Sequence, residues 1–219
     1  MKNILSDNGG LDKILCFDIE TRQHETADLY INKEKTFRAP ANYKNDEAKE
    51  KYITEAKLKE LSKSALNIPT MRVWVISAYD METDITYSYA DSDEAKVIEG
   101  FYKALANEWK DHVLVGYNNL RFDNPVLRGA SVRTKIPVPS HLRFPAKTDD
   151  IVNDFYQMKL KLSDLGHMMG MEKSMDGSDV HSYWMAHCMG DKTAQKEVVA
   201  YCEHDVLHCV EYIRRVYGT

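Results

Sequence analysis

Three short stretches of the sequence carry side chains whose types and spacing could do chemistry. In Phe17-Asp-Ile-Glu-Thr21, Asp18 and Glu20 stand two residues apart at the end of an apolar run. On an extended strand alternate side chains share a face, so the two carboxylates lie together with Cα atoms about 6.6 Å apart. They repel one another unless a cation intervenes. In Val115-Gly-Tyr-Asn-Asn-Leu-Arg-Phe-Asp-Asn-Pro125, Asp123 falls in the connection between a strand ending at Gly116 and a helix opening near Pro125. In Tyr201-Cys-Glu-His-Asp205 a phenol and a carboxylate four residues apart share one helix face. Each stretch also has a plain structural explanation. The strand acids could face water, Asp123 could be a helix N-cap, and Tyr201 could simply hydrogen-bond Asp205 at a helix surface.

The elements that must position these residues follow from the hydrophobic periodicity. Lys13 to Ile19 reads as a central strand, after which the register is lost and the chain stays polar from Gln23 to Pro69. That stretch is expected to be an insertion, with an exposed helix of mixed charge over Lys44 to Lys63. Met71 to Tyr79 and Ile85 to Ala90 read as a hairpin about Asp80 to Asp84, and Ser92 to Lys110 as a helix packed on the sheet. His112 to Gly116 is a further strand. A helix from Asn124 to Arg133, a basic Pro-punctuated loop to Lys147 and a helical stretch over Ile151 to Met158 come next. A last amphipathic helix is expected from Lys192 to Val216, burying Val199, Cys202, Val206, Cys209, Val210 and Ile213. The order β-β-β-α-β-α followed by helices predicts an α/β class, with one domain spanning 1–219 and an insertion at 23–70.

Composition narrows the class. At 219 residues and 43% hydrophobic the chain can bury one sizeable core and is not of disordered composition. The first residues hold no apolar run of signal-peptide or membrane-span length, so a cytoplasmic protein with no membrane partner is expected. Cys16, Cys188, Cys202 and Cys209 form no C-x-x-C pair and read as reduced thiols. A net charge of -5 argues against non-specific coating of DNA and suits carboxylates gathered around cations.

In this order, an Asp-x-Glu strand, a Gly-Tyr-Asn-x-x-x-Phe-Asp turn and a late Tyr-x-x-x-Asp helix, the chain resembles the proofreading exonuclease domains of family B DNA polymerases. These are DEDDy-type 3'-5' exonucleases of the DnaQ-like, ribonuclease H-like superfamily. The resemblance extends from Lys13 to about Val216, leaving the insertion unassigned. It implies a ribonuclease H-like mixed sheet flanked by helices and an enzyme that trims nucleic acid from its 3' end, expected to be standalone because no polymerase palm or fingers follow Thr219. It also implies that Asp18, Glu20, Asp123 and Asp205 hold two divalent ions, Mg2+ or Mn2+, and that Tyr201 orients the attacking water. The related histidine branch needs a His five residues before the last Asp, and that position is Ala200. Two such ions activate water and stabilise the leaving oxygen, and both prefer oxygen ligands.

For substrate, Asn124 to Thr148 carries Arg128, Arg133, Lys135, Arg143 and Lys147 without an acid, and is the expected phosphate-facing surface. Tyr117 and Phe122 could stack on an unpaired terminal base. The resemblance adds Thr21 and Asn118 as contacts to the terminal nucleotide and favours single-stranded DNA over RNA. Three alternatives stay open. The chain could trim RNA 3' ends, or be an inactive nucleic-acid-binding module. His204 and His208 could instead hold a structural zinc ion with Cys202, Cys209 or His187.

Overall fold

The computed structural model describes residues 10–34, 36–155, 158 and 160–218. The chain folds into two compact units, one of Met1–Glu20 with Val73–Thr219 and one of Thr21–Arg72. The stretch expected as an insertion, 23–70, falls inside the second unit.

The first unit is built on a mixed five-stranded sheet, β1 (Ile14–Gln23), β2 (Met71–Asp80), β3 (Ile85–Ala90), β4 (Val113–Gly116) and β5 (Thr148–Asp150), in the order β3-β2-β1-β4-β5. β4 runs parallel to both β1 and β5, whereas β2 and β3 form an antiparallel hairpin. The helices are α3 (Glu94–Ala106), α4 (Asp123–Thr134), α5 (Ser140–Arg143), α6 (Leu162–Met169), α7 (Val180–Cys188) and α8 (Ala194–Tyr217). Period-two alternation divides β1 between two layers. Phe17 packs against Phe101 of α3 with ring centroids 6.1 Å apart. Ile14 and Cys16 point the other way, into a core with Val206, Cys209, Val210 and Ile213 of α8 and Leu165 of α6. A second cluster joins Trp74 and Val75 of β2 to Val180 and Trp184 of α7 and to Val198, Tyr201 and Cys202 of α8. Asp18 and Glu20 continue the face of β1 that α8 covers, which is why strand and helix can present acids to one place.

The second unit holds α1 (Ala27–Glu34) and α2 (Asp46–Ser62). Asn45 caps α2 by accepting the Glu47 N–H at 2.9 Å, and Thr70 donates its hydroxyl to the Ser64 carbonyl at 2.9 Å.

Several expectations need correction. β1 does not lose its register at Glu20 but runs to Gln23, because local partners satisfy the polar side chains that follow. Arg22 bonds Glu25 at 2.8 Å and the Thr21 hydroxyl donates to the Ala65 carbonyl. β5 is too short to show a period of two and reads as loop in the sequence. The helical stretch expected over Ile151 to Met158 is a 3-10 helix over Ile151–Phe155, and residues 156 and 157 of that expectation lie outside the described residues. All four cysteines are free thiols, with Cys188 exposed and the other three buried. Among the described residues no helix is long and apolar enough to cross a membrane.

Candidate active site

Asp18 and Glu20 on β1 and Asp205 on α8 each offer a carboxylate oxygen, and these atoms all lie within 4.8 Å of one another. Asp123 stands at the first turn of α4 and accepts the backbone N–H of Ile19, the residue between Asp18 and Glu20. It is therefore tied to the strand that carries the other acids. The capping residue of α4 is Phe122, which makes no side-chain capping bond, so the N-cap explanation of Asp123 does not hold. Tyr201 lies one turn before Asp205, with its ring in the Trp74 cluster and its hydroxyl in hydrogen-bonding reach of that carboxylate. The Cys202 thiol packs against Asp18, 3.4 Å from its carbonyl and 3.7 Å from its Oδ2.

Electrostatics show what this arrangement can hold. Burial, followed by repulsion from Asp123, Glu20 and Asp205, holds the Asp18 carboxyl well above the usual carboxylate range. Burial and then Asp205 and Asp123 do the same to Glu20, and burial chiefly pushes Asp123 up to about 7. Tyr201 is also raised, by burial and by Asp205 and Glu20, and stays a neutral phenol. Asp205 Oδ1 is buried with no hydrogen-bond partner among the described residues. Crowded acids that must share protons, a donor set made of oxygens and an unpartnered carboxylate oxygen all fit hard divalent cations. One positive group is already present: the Lys173 ammonium lies 3.8 Å from Asp205 Oδ2 and 5.0 Å from the centre of the Tyr201 ring.

The turn that delivers Asp123 depends on two close fits. Gly116 follows on from the register that pairs Cys16 with Val115, and a Cβ there would stand 2.9 Å from the Phe17 carbonyl oxygen. Any larger residue would push β4 away from β1. Beyond it Asn118 takes a left-handed conformation, φ 63°, which asparagine tolerates better than most residues. Asp150, at the end of β5, holds this turn by accepting the N–H groups of Asn118 at 2.8 Å, Leu120 at 3.2 Å and Val152 at 3.0 Å.

A family model described as the RNase H superfamily matches residues 64–217. The chain belongs to the RNase H superfamily. In structure this RNase H chain is similar to the family B DNA polymerase from the hyperthermophilic archaeon Pyrobaculum calidifontis, with a TM-score of 0.62 and 17% identity over 93% of the chain. At that identity the likeness is one of fold, and the chain spans only 24% of the polymerase's length. No curated protein matches it in sequence.

Within the RNase H fold the five acid and phenol candidates, Asp18, Glu20, Asp123, Tyr201 and Asp205, come together. Several of the expected substrate contacts are engaged within the protein. Arg128 gives its Nε and Nη2 to the Leu142 carbonyl at 2.9 and 2.7 Å, which staples α4 to α5. Arg133 is paired with Glu94 at 2.6 Å, and Lys147 donates to the Lys110 carbonyl at 2.7 Å. The acid-free stretch is thus partly internal scaffolding: its partners are backbone carbonyls and a distant glutamate, which reading one segment alone does not reveal. The Tyr117 ring is partly buried against the core and its hydroxyl donates to the Leu160 carbonyl. Phe122 is half-buried at the start of α4. Thr21 is buried in the second unit. The zinc alternative with cysteine fails because Cys202 faces Asp18 and Cys209 lies in the core, while His187 packs against Trp74 and Trp184.

Sequence reasoning missed Asp150 and Lys173. Asp150 follows a basic loop and belongs to a three-residue strand, so no period marks it. Lys173 lies between α6 and α7 in a segment rich in Gly, Ser and Met, where only three-dimensional proximity to Asp205 gives it meaning.

Proposed function

We propose that the protein is a 3'-to-5' exonuclease that hydrolyses the terminal phosphodiester bond of a single strand, DNA in preference to RNA, and releases nucleoside monophosphates. The observation that carries this reading is the convergence of Asp18, Glu20 and Asp205 oxygens within 4.8 Å, with Asp123 bonded to the strand between the first two. Membership of the RNase H superfamily supports a nuclease, and the fold shared with a DNA polymerase favours DNA. We take the chain to work as one exonuclease domain that carries the 23–70 stretch as an insertion.

In this reading Asp18, Glu20, Asp123 and Asp205 hold two Mg2+ or Mn2+ ions. Such a pair, when bound, supplies an activated water and stabilises charge on the leaving 3' oxygen. Asp18, Glu20 and Asp123, whose carboxyls burial and mutual repulsion raise, give up their protons when the cations bind. Tyr201, kept neutral by its surroundings, uses its hydroxyl to hold the attacking water in line with phosphorus, while the Trp74 cluster fixes its ring. Asp150 keeps the Asn118 turn, and with it Asp123, in register with β1. Lys173 adds positive charge beside Asp205, where the phosphate arrives. The test is incubation with 5'-labelled single-stranded DNA and matching RNA, with Mg2+, Mn2+ or EDTA, beside Asp18→Ala. A metal-dependent ladder of shortened strands, absent in the variant and faster on DNA, is expected. Binding without cleavage in either metal would reject the reading in favour of an inactive nucleic-acid-binding module, and a ladder on RNA alone would reject the DNA preference.

A further inference from the structure

The exonuclease reading leaves the two histidines of α8 beside Asp205 without a role. One ring nitrogen from each of His204 and His208 and one Asp205 oxygen all lie within 4.8 Å of one another. The two residues are one helical turn apart, and their rings meet edge to face with centroids 4.5 Å apart. Among the described residues, Nδ1 of His204, Nδ1 of His208 and Oδ1 of Asp205 are buried and have no hydrogen-bond partner. His208 is fully buried and Asp205 is 5% exposed, so water does not satisfy these atoms from bulk solvent. A buried imidazole nitrogen and a buried carboxylate oxygen that face one another with no hydrogen-bond partner, beside a second imidazole, are a donor set that calls for a partner.

The remaining contact of His208 fixes its chemistry. Its Nε2 lies 3.3 Å from the Met171 carbonyl oxygen, which can only accept, so Nε2 carries a proton and Nδ1 is the nitrogen left to present a lone pair to an ion. That lone pair faces Asp205 Oδ1 at 3.7 Å, too long for a direct hydrogen bond. Two ligands of a tetrahedral ion bound at about 2.0 to 2.1 Å stand about 3.3 Å apart, so the gap matches an intervening ion after slight closure. An imidazole whose other nitrogen donates to a backbone carbonyl is also how proteins orient a metal-ligating histidine.

We propose that His204, Asp205 and His208 form a second cation site, separate in chemistry from the acidic centre, that takes a borderline-soft divalent ion of which zinc is the reference case. Imidazole ligands favour zinc over magnesium, whereas Asp18, Glu20 and Asp123 offer only oxygen. A fourth position is left for water. Asp205 belongs to both sites, so an ion held by the histidines competes for the carboxylate that the acidic centre needs. Zinc therefore inhibits a reaction that magnesium supports. This last consequence rests on the exonuclease reading; the site itself does not.

The test is calorimetric titration of metal-free protein with zinc, using the wild type, His204→Ala and the double variant Asp18→Asn, Glu20→Gln, with X-ray absorption at the zinc edge on the wild type. His204 is half-buried, and melting in EDTA checks that its variant remains folded. One zinc per chain is expected, with two imidazoles in the absorption spectrum and unchanged affinity in the acidic double variant. His204→Ala should weaken binding at least about 100-fold, since even the outer partners of a ligand are worth 10- to 100-fold. Wild-type affinity in His204→Ala, a spectrum without imidazole, no zinc binding to the wild type, or zinc lost only in the acidic double variant would each overturn the proposal. Zinc bound as expected in a protein that cleaves no nucleic acid would instead remove the exonuclease reading and leave the site standing.

Discussion

Removing divalent cations should make the protein lose stability as pH rises, the reverse of ordinary acid unfolding. Unfolded carboxyls titrate near 3.9 to 4.3, whereas burial, with a contribution from Asp150, holds Asp123 at about 7, and Asp18 and Glu20 are also raised. Between roughly pH 4 and pH 7 the metal-free native chain keeps protons that the unfolded chain has released, so its stability is full below that window and falls through it. For Asp123 the shift of roughly three units corresponds to about 4 kcal/mol, at 1.36 kcal/mol per unit. For a chain of this size each kcal/mol moves Tm by about 2 to 4 °C, which makes an expected fall of about 8 to 16 °C from this group. Buried His141 is lowered by burial and by Lys147, and works in the opposite sense below about pH 6.5. The decisive quantity is therefore the difference between the wild type and Asp123→Asn, whose amide stands in for the protonated acid. Thermal unfolding in EDTA at pH 5 and pH 8, repeated in Mg2+, measures it. The variant should melt above the wild type at pH 8 in EDTA, and Mg2+ should stabilise the wild type more at pH 8 than at pH 5. Equal pH profiles for wild type and variant, with no effect of Mg2+, would refute the electrostatic argument.

Tyr201→Phe keeps the ring in the Trp74 cluster, so calorimetry should give unchanged Mg2+ affinity while kcat falls about 10- to 100-fold from loss of water positioning; unchanged kcat would remove Tyr201 from the reaction. Asp150→Ala leaves three backbone N–H groups without their acceptor. At about 0.5 to 1.5 kcal/mol net for each of these part-buried hydrogen bonds, urea unfolding should show a loss of about 2 to 4 kcal/mol, together with reduced cleavage. Arg128→Ala removes the staple between α4 and α5, so the midpoint of unfolding should drop while affinity for single-stranded DNA and its salt dependence stay as in the wild type.

The sequence made the acidic site legible because its parts obey local rules. Asp18 and Glu20 are placed by a strand's period of two, and Tyr201 and Asp205 by one helical turn. Gly116 and Pro125 frame Asp123 well enough to put it in a connection, although only the structure reveals that its carboxylate meets the Ile19 N–H. The sheet was legible where strands were long or apolar, as in β1 to β4, and failed at β5, whose three residues carry no periodic signal. Substrate contacts were the least legible. Whether an arginine faces phosphate or a carbonyl depends on residues far along the chain, as Arg128 with Leu142 and Arg133 with Glu94 demonstrate. Lys173 and the histidine site share that property, because only packing brings Met171 and Lys173 against α8.

The central claim, that the carboxylate cluster drives hydrolysis at the 3' end, is tested most directly by the first product released from 3'-end-labelled single-stranded DNA. With Mg2+ the label should leave first as a mononucleotide, and Asp205→Asn should abolish its release. Label leaving first in a longer fragment, or released as fast by the variant, would contradict the account.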